Sequence, residues 1–345
     1  MGPTKELILH IGRSKTGTSS LQHYLSNNRA ALVARGICYP KTGCGNGVAH
    51  HEIARACCNL GLFGPKLRAL RAAFEEEVAP FDRLILSSEN FQQVLLAHRL
   101  LYFFGDSGAW PNEVLKHYVF PSKRIRPYRI TSICYLREYL EYASSSYAQN
   151  VQNSNQTRNL TQYCKKHFRR PLSKFVDLWK RFSDDAIFVG YDRRKLFQQD
   201  VVADFFNRID VPPMAPVTET DANPSISGNL LAFKLLVNRN VPHTRDLYRA
   251  FRDLALLDAR YRGRMFVSDA LSAALRKRGR NYNARLEQLV GQVEERSFEN
   301  GNRFDASQWK HDMECFLDHP NLSKLKDRPE IFRTLANDAA KLVPQ

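Results

Sequence analysis

Four short apolar runs, Glu6–Ile11, Arg83–Ser87, Arg129–Leu136 and Ala186–Gly190, punctuate the first two thirds of the chain. Their length and their bounding turn residues predict buried strands. Helical spacing predicts helices through Leu21, Tyr24 and Leu25, through Leu172, Phe175, Val176 and Trp179, and through Val202, Phe205, Phe206 and Ile209. Strands alternating with helices imply an α/β fold with a mostly parallel sheet flanked by helices. After Ile209, Asp210-Val-Pro-Pro-Met-Ala-Pro reads as a turn or linker, because clustered prolines cannot continue a helix. Beyond it the pattern is helical: Leu286, Leu289, Val290 and Val293 form one stripe, and Arg276-Lys-Arg-Gly-Arg280 is a basic connection broken by glycine. The expected organisation is an α/β core over residues 1–210 and a mainly helical C-terminal portion, 211–345, packed on it.

Composition changes this picture little, and charge changes it more. The 345 residues are 43% apolar and 25% charged, which suits a packed globular protein and argues against disorder or a collagen-like repeat. Lys and Arg number 51 against 35 Asp and Glu, a formal charge of +16 that favours an anionic partner. No apolar run approaches the roughly 20 residues of a membrane helix, and the start is too short and polar for a signal peptide. A cytoplasmic protein without a membrane span is expected. Seven cysteines without a C-x-x-C pair argue for reduced thiols rather than disulfides or a zinc ribbon. The sequons at Asn155, Asn159 and Asn321 are then chance matches.

The most informative segment is Leu7-Ile-Leu-His-Ile-Gly-Arg-Ser-Lys-Thr-Gly-Thr-Ser-Ser-Leu-Gln22. An apolar strand enters a loop with Gly12 and Gly17, and a helix pattern begins at Thr18 to Ser20. Such a loop cradles an anion: glycines permit close backbone approach, and the helix start supplies unpaired N–H donors and the positive end of its dipole. Thr16, Thr18, Ser19 and Ser20 add hydroxyls, and Lys15 adds a full positive charge. The loop is not a Walker A motif, which needs Lys directly after the second glycine, nor a G-x-G-x-x-G dinucleotide fingerprint.

His10-Ile-Gly-Arg-Ser-Lys-Thr-Gly-Thr-Ser-Ser-Leu-Gln22 resembles the 5′-phosphosulfate loop of sulfotransferases, above all the bacterial type that reads H-I-G-x-x-K-T-G-T-[ST]-S-L-Q. The resemblance implies a P-loop-like nucleotide-binding fold and 3′-phosphoadenosine 5′-phosphosulfate as donor. It places the donor's 5′-phosphate on the amides and hydroxyls of residues 15 to 20. It also implies a 3′-phosphate site made by an Arg at a strand end and a Ser eight residues later. Arg137 and Ser145 have that spacing, with Ser144 or Ser146 as substitutes. A planar guanidinium fork suits phosphate oxygens, and a serine two helical turns on adds a hydroxyl. Late basic residues close this pocket in the family; Arg276–Arg280 or Arg303 are candidates. Tyr191-Asp-Arg-Arg-Lys-Leu-Phe and Asp221–Asn229 resemble family segments more weakly.

Sulfuryl transfer needs a cation beside the leaving phosphate, a task that suits Lys15, and a base for the acceptor. Glu89, just past a strand end, is the favoured base, as a carboxylate is common in glycan-modifying members; His51 is the rival. The expected acceptor is a hydroxyl on a carbohydrate or glycoconjugate, with small molecules or an amine less favoured, and no metal is expected. Two other readings stand beside this one. A P-loop kinase or nucleoside triphosphatase is opposed by the lysine placement. A nucleic-acid-binding protein is suggested by the charge and by Lys123–Arg126 and Lys165–Arg170, but no base-reading motif accompanies them, so no specific nucleic-acid partner is expected.

Overall fold

The computed structural model describes residues 5–13, 15–58, 64–92, 127–168, 171–214 and 224–326. Five strands, β1 (Glu6–Ile11), β2 (Ile37–Cys38), β3 (Arg83–Ser88), β4 (Arg129–Leu136) and β5 (Asp185–Gly190), form one all-parallel sheet in the order β2-β3-β1-β4-β5. Four of the strands coincide with the apolar runs. The fifth, β2, is two residues long and gives no periodicity to detect.

The chain divides into two units. The first comprises Met1–Arg137, Arg170–Thr220 and Arg285–Val293; the second comprises Glu138–Arg169, Asp221–Ala284 and Glu294–Gln345. The units therefore interleave along the chain and cross the boundary expected near residue 210. All five strands belong to the first unit, and every regular element described after Val211 is helical.

In the first unit, Ile8, Ile85, Ile133, Tyr135 and Val189 project from one sheet face. Leu21 and Leu25 of α1 (Thr18–Asn27) and Phe205 and Phe206 of the helix Val201–Arg208 cover them. This is the alternate-residue burial that a strand covered by helices requires. The Val201–Arg208 helix is tied to β4 by a buried polar contact: Tyr135 Oη donates to Asp204 Oδ2 at 2.8 Å, and Arg208 Nε donates to the same oxygen at 2.6 Å. That carboxylate is 3% exposed and would be costly without these partners. On the opposite face Phe188 of β5 meets Phe175 of the helix Leu172–Phe182 edge to face.

The chain leaves β1 toward the β2 edge and leaves β4 toward the β5 edge. Adjacent parallel strands whose connections depart in opposite directions open a crevice at their C-terminal ends, where open α/β sheets hold ligands. Here that crevice lies between the loop after β1 and Arg137 after β4.

The second unit is helical around a core that includes Leu140, Tyr147, Leu231, Phe233, Phe251 and Phe316. Gly279, between the helices Asp269–Arg278 and Arg280–Val290, is needed for packing: a Cβ there would stand 2.2 Å from the Tyr139 ring. Lys234 of the helix Gly228–Asn240 is fully buried. Its ammonium donates to Asn238 Oδ1 and lies 5.2 Å from the Phe251 ring centre, and burial pushes its pKa down to about 8.

A buried cation held below its ordinary value of 10.5 destabilises the fold at neutral pH. Between about 8 and 10.5 the unfolded chain keeps a proton that the folded chain has released, so stability rises with pH across that window. Lys234→Met is expected to stabilise the protein at neutral pH by about 1–2 kcal/mol, the gain in desolvation being offset in part by the lost bond to Asn238. Urea denaturation checks this: the variant should also lose the wild-type rise in stability across that pH window, and a less stable variant would refute it.

Candidate functional site

Three segments meet at the C-terminal edge of the sheet: the loop after β1, the Ser87-Ser88-Glu89 end of β3, and Arg137 with Tyr191 beyond β4 and β5. All belong to the first unit.

The loop after β1 is closed by Thr16, which is buried and donates both its amide (3.3 Å) and its hydroxyl (2.7 Å) to the Arg13 carbonyl. Both of its donors therefore act inside the loop. Lys15 has φ 67°, a left-handed conformation that few side chains adopt, and Gly17 follows with φ 74° as the N-cap of α1. No side chain caps this helix start, so its first amides keep their capacity for an anion. Thr18 is buried, Ser20 half-buried and Ser19 exposed.

Gly17 could not be replaced: a Cβ would stand 2.6 Å from Val201 Cγ1 and 3.3 Å from Tyr191 Oη. The Tyr191 ring in turn lies under the Arg137 guanidinium, 4.5 Å from centre to carbon. One tyrosine thus spans from the loop to the arginine, a stacking that suits guanidinium. Arg13 of the same loop turns the other way, its guanidinium 5.1 Å from the Phe175 ring.

Gly12 is not in the left-handed region, and its amide donates to the Ser88 carbonyl at 3.2 Å. Its role is space. A Cβ there would stand 2.9 Å from Thr18 Cγ2 and 3.0 Å from Glu89 Cγ, so its absence lets the Glu89 side chain cross the loop. Glu89 Oε2 accepts from Gln22 Nε2 at 3.3 Å and lies 3.7 Å from His51 Nε2.

Ser88 Oγ accepts from Asn90 N at 3.1 Å and lies 2.8 Å from His51 Nδ1. Glu89 Oε1 makes no hydrogen bond among the described residues.

Deeper in, His10 Nδ1 pairs with Ser87 Oγ at 2.7 Å, and Gln22 Nε2 donates to the same hydroxyl at 3.2 Å. His50 Nδ1 accepts from Ser87 N at 3.1 Å, so its Nε2–H donates to the Pro40 carbonyl at 2.9 Å. Burial pushes His10 and His50 each down to about 4, in His10 against a smaller upward pull from Glu89. Both imidazoles are neutral.

Ser145 lies on the helix Tyr139–Asn153 in the second unit. It is half-buried, while Ser144 donates to the Glu141 carbonyl and Ser146 bonds Tyr163 Oη at 2.8 Å. Arg276 meets carboxylates of its own unit, Glu295 at 3.3 Å and Glu138 at 3.5 Å, and donates to the Arg296 carbonyl. Arg303 stacks on Phe266 at 3.8 Å. Ser14 and Lys123–Arg126 lie outside the described residues. Among the described residues no group of three His, Cys, Asp or Glu is arranged to hold a metal ion, and no helix is long and apolar enough to cross a membrane. Sequence reasoning missed the parts of Ser87 and Ser88 and the bridging part of Tyr191, and it met Gln22 only as a position of the loop motif, without a role.

Falling pH tests the two buried histidines. The unfolded chain takes up protons below the ordinary value of 6.5, the folded chain only near 4, so stability falls as pH falls through that window. The loss approaches about 3 kcal/mol per histidine. In denaturant titrations at neutral pH and near pH 4, His50→Asn should show a much shallower loss than wild type; an equal loss would refute the assignment.

Against protein-family models, curated proteins and solved structures, the chain has no match.

Proposed function

We propose that the chain is a sulfotransferase that moves a sulfuryl group from 3′-phosphoadenosine 5′-phosphosulfate to a hydroxyl of a carbohydrate or glycoconjugate, on a P-loop-like core. The reading rests first on the resemblance of residues 10–22 to the family loop. The observation that supports it further is the position of two cationic residues, Lys15 after β1 and Arg137 after β4, at the C-terminal edge of adjacent strands. Lys15 stands on the strained loop next to the uncapped helix start, and Arg137 lies across the Tyr191 ring from Gly17. A donor with a phosphate at each end needs cationic groups at two separated points, and these residues fit that demand.

In this reading the amides at the start of α1 and the hydroxyls of Thr18, Ser19 and Ser20 hold the 5′-phosphate. Thr16 keeps the loop shut, and Gly12 makes room for the base. Arg137 holds the 3′-phosphate. Glu89 takes the proton of the acceptor hydroxyl at Oε1. The acceptor oxygen bonds to sulfur as the bond from sulfur to the bridging phosphate oxygen breaks. Lys15 stabilises the negative charge that grows on that leaving oxygen. His51 lies beside Glu89 and is the rival for this base. The net charge of +16 suits both the donor and an acidic acceptor.

Calorimetric titration with adenosine 3′,5′-bisphosphate should show binding. Arg137→Ala should weaken it about ten- to a hundredfold, the range for a hydrogen bond to a charged group. With radiolabelled donor and an unsulfated oligosaccharide pool, Lys15→Ala and Glu89→Gln should lower kcat by about 10²–10⁴-fold. Unchanged nucleotide affinity and turnover in both Lys15→Ala and Arg137→Ala would overturn the reading. Magnesium-dependent ATP hydrolysis, or salt-sensitive duplex binding without nucleotide affinity, would replace it.

A further inference from the structure

Glu89 reaches its place over Gly12 by a route that runs through Gln22, a position of the loop motif to which sequence reasoning gave no role. Its Oε2 accepts from the Gln22 side chain, and that amide is itself anchored. Gln22 is 3% exposed on the face of α1 that also buries Thr18, Leu21 and Leu25. A glutamine in an apolar stripe costs stability unless its polar atoms are bonded. Its Nε2 makes two contacts, Ser87 Oγ at 3.2 Å and Glu89 Oε2 at 3.3 Å, one for each amide hydrogen. The orientation of the amide follows from these partners. An ionised carboxylate only accepts, so the atom facing Glu89 is the nitrogen; the flipped amide would set two oxygens against each other.

Ser87 in turn is fixed from two sides. Its hydroxyl pairs with His10 Nδ1 at 2.7 Å, and its amide donates to His50 Nδ1 at 3.1 Å. All three groups are fully buried, and both histidines are neutral. The resulting chain, His10 to Ser87 to Gln22 to Glu89, runs from the core of the sheet to the crevice. The members before Glu89 carry no net charge.

We propose that Gln22 is a positioning residue: held by Ser87, it fixes the Glu89 carboxylate with Oε2 turned inward and Oε1 presented to the acceptor. This rests on the sulfotransferase reading for its chemistry. Its geometry is independent of which hydroxyl is sulfated. Gln22 touches neither donor nor acceptor, so it acts on turnover and not on nucleotide affinity.

The test is a double-mutant cycle between Gln22→Met and Glu89→Ala in the full-length chain, assayed with labelled donor and an unsulfated oligosaccharide pool. Gln22→Met keeps the length of the side chain without its donors. Alone it should lower kcat about ten- to a hundredfold while leaving the affinity for adenosine 3′,5′-bisphosphate and the KM for donor within about twofold of wild type. In the Glu89→Ala background it should add nothing. A crystal structure of Gln22→Met should show the Glu89 carboxylate turned away from its place over Gly12; this readout needs no substrate, and Gln22→Leu is a second variant if the first folds poorly. Equal effects of Gln22→Met in both backgrounds, or an unmoved carboxylate with full turnover, overturn the positioning role while leaving the sulfotransferase reading intact. A wild-type chain that binds adenosine 3′,5′-bisphosphate weakly or not at all and transfers no sulfuryl group overturns that reading instead, and the catalytic role of Gln22 with it.

Discussion

The stacking of Arg137 on Tyr191, with the tyrosine hydroxyl close against Gly17, is the contact on which the crevice depends. Three strand ends contribute to it. β1 brings Gly17, β4 brings Arg137, and β5 brings Tyr191, so the loop and the arginine are spaced by the width of one aromatic ring. The sheet order makes this possible, because β4 lies next to β1 and β5 next to β4. Val201 completes the arrangement from below. Its helix is drawn onto β4 by the Tyr135–Asp204 bond, and its methyl group occupies the space a side chain at position 17 would need. Core packing and the geometry of the cationic wall are therefore one construction.

The other side of β1 serves a different purpose. There Gly12 binds its amide to Ser88 and leaves its missing side chain to Glu89. Beside the carboxylate lie a glutamine amide, two serine hydroxyls and, deeper in, a His10 imidazole that burial keeps uncharged. Positive charge sits toward β4, and proton-accepting capacity sits toward β3. On the proposed reading that division keeps the base from pairing with the leaving-group cation.

The sheet was legible because four of its strands are continuous apolar runs, and the helices were legible where Leu and Phe recur at helical spacing. β2 was not, since two residues carry no period. The interleaving of the two units was also hidden: the Glu138–Arg169 segment joins the second unit through packing partners that come late in the chain, such as Asn283, which accepts from Tyr139 N and donates to Glu138. In the site, the loop residues announced themselves by type and spacing, yet their division of labour did not. Thr16 and Gly12 look like ligand-facing members of a motif and act within the loop instead. Gln22 stood in the loop motif without a role, and Ser87 and Tyr191 are common residue types whose importance comes only from what lies next to them.

Lys15 combines two properties that normally fall on different residues. Its backbone occupies a region where glycine is at ease and a side chain costs about 1 kcal/mol, and its ammonium is the charge the crevice needs. Folding alone would favour glycine at this position. On the proposed reading a lysine here sets chemistry against stability, so a variant with glycine at this position would fold at least as well and lack the charge that sulfuryl transfer calls for.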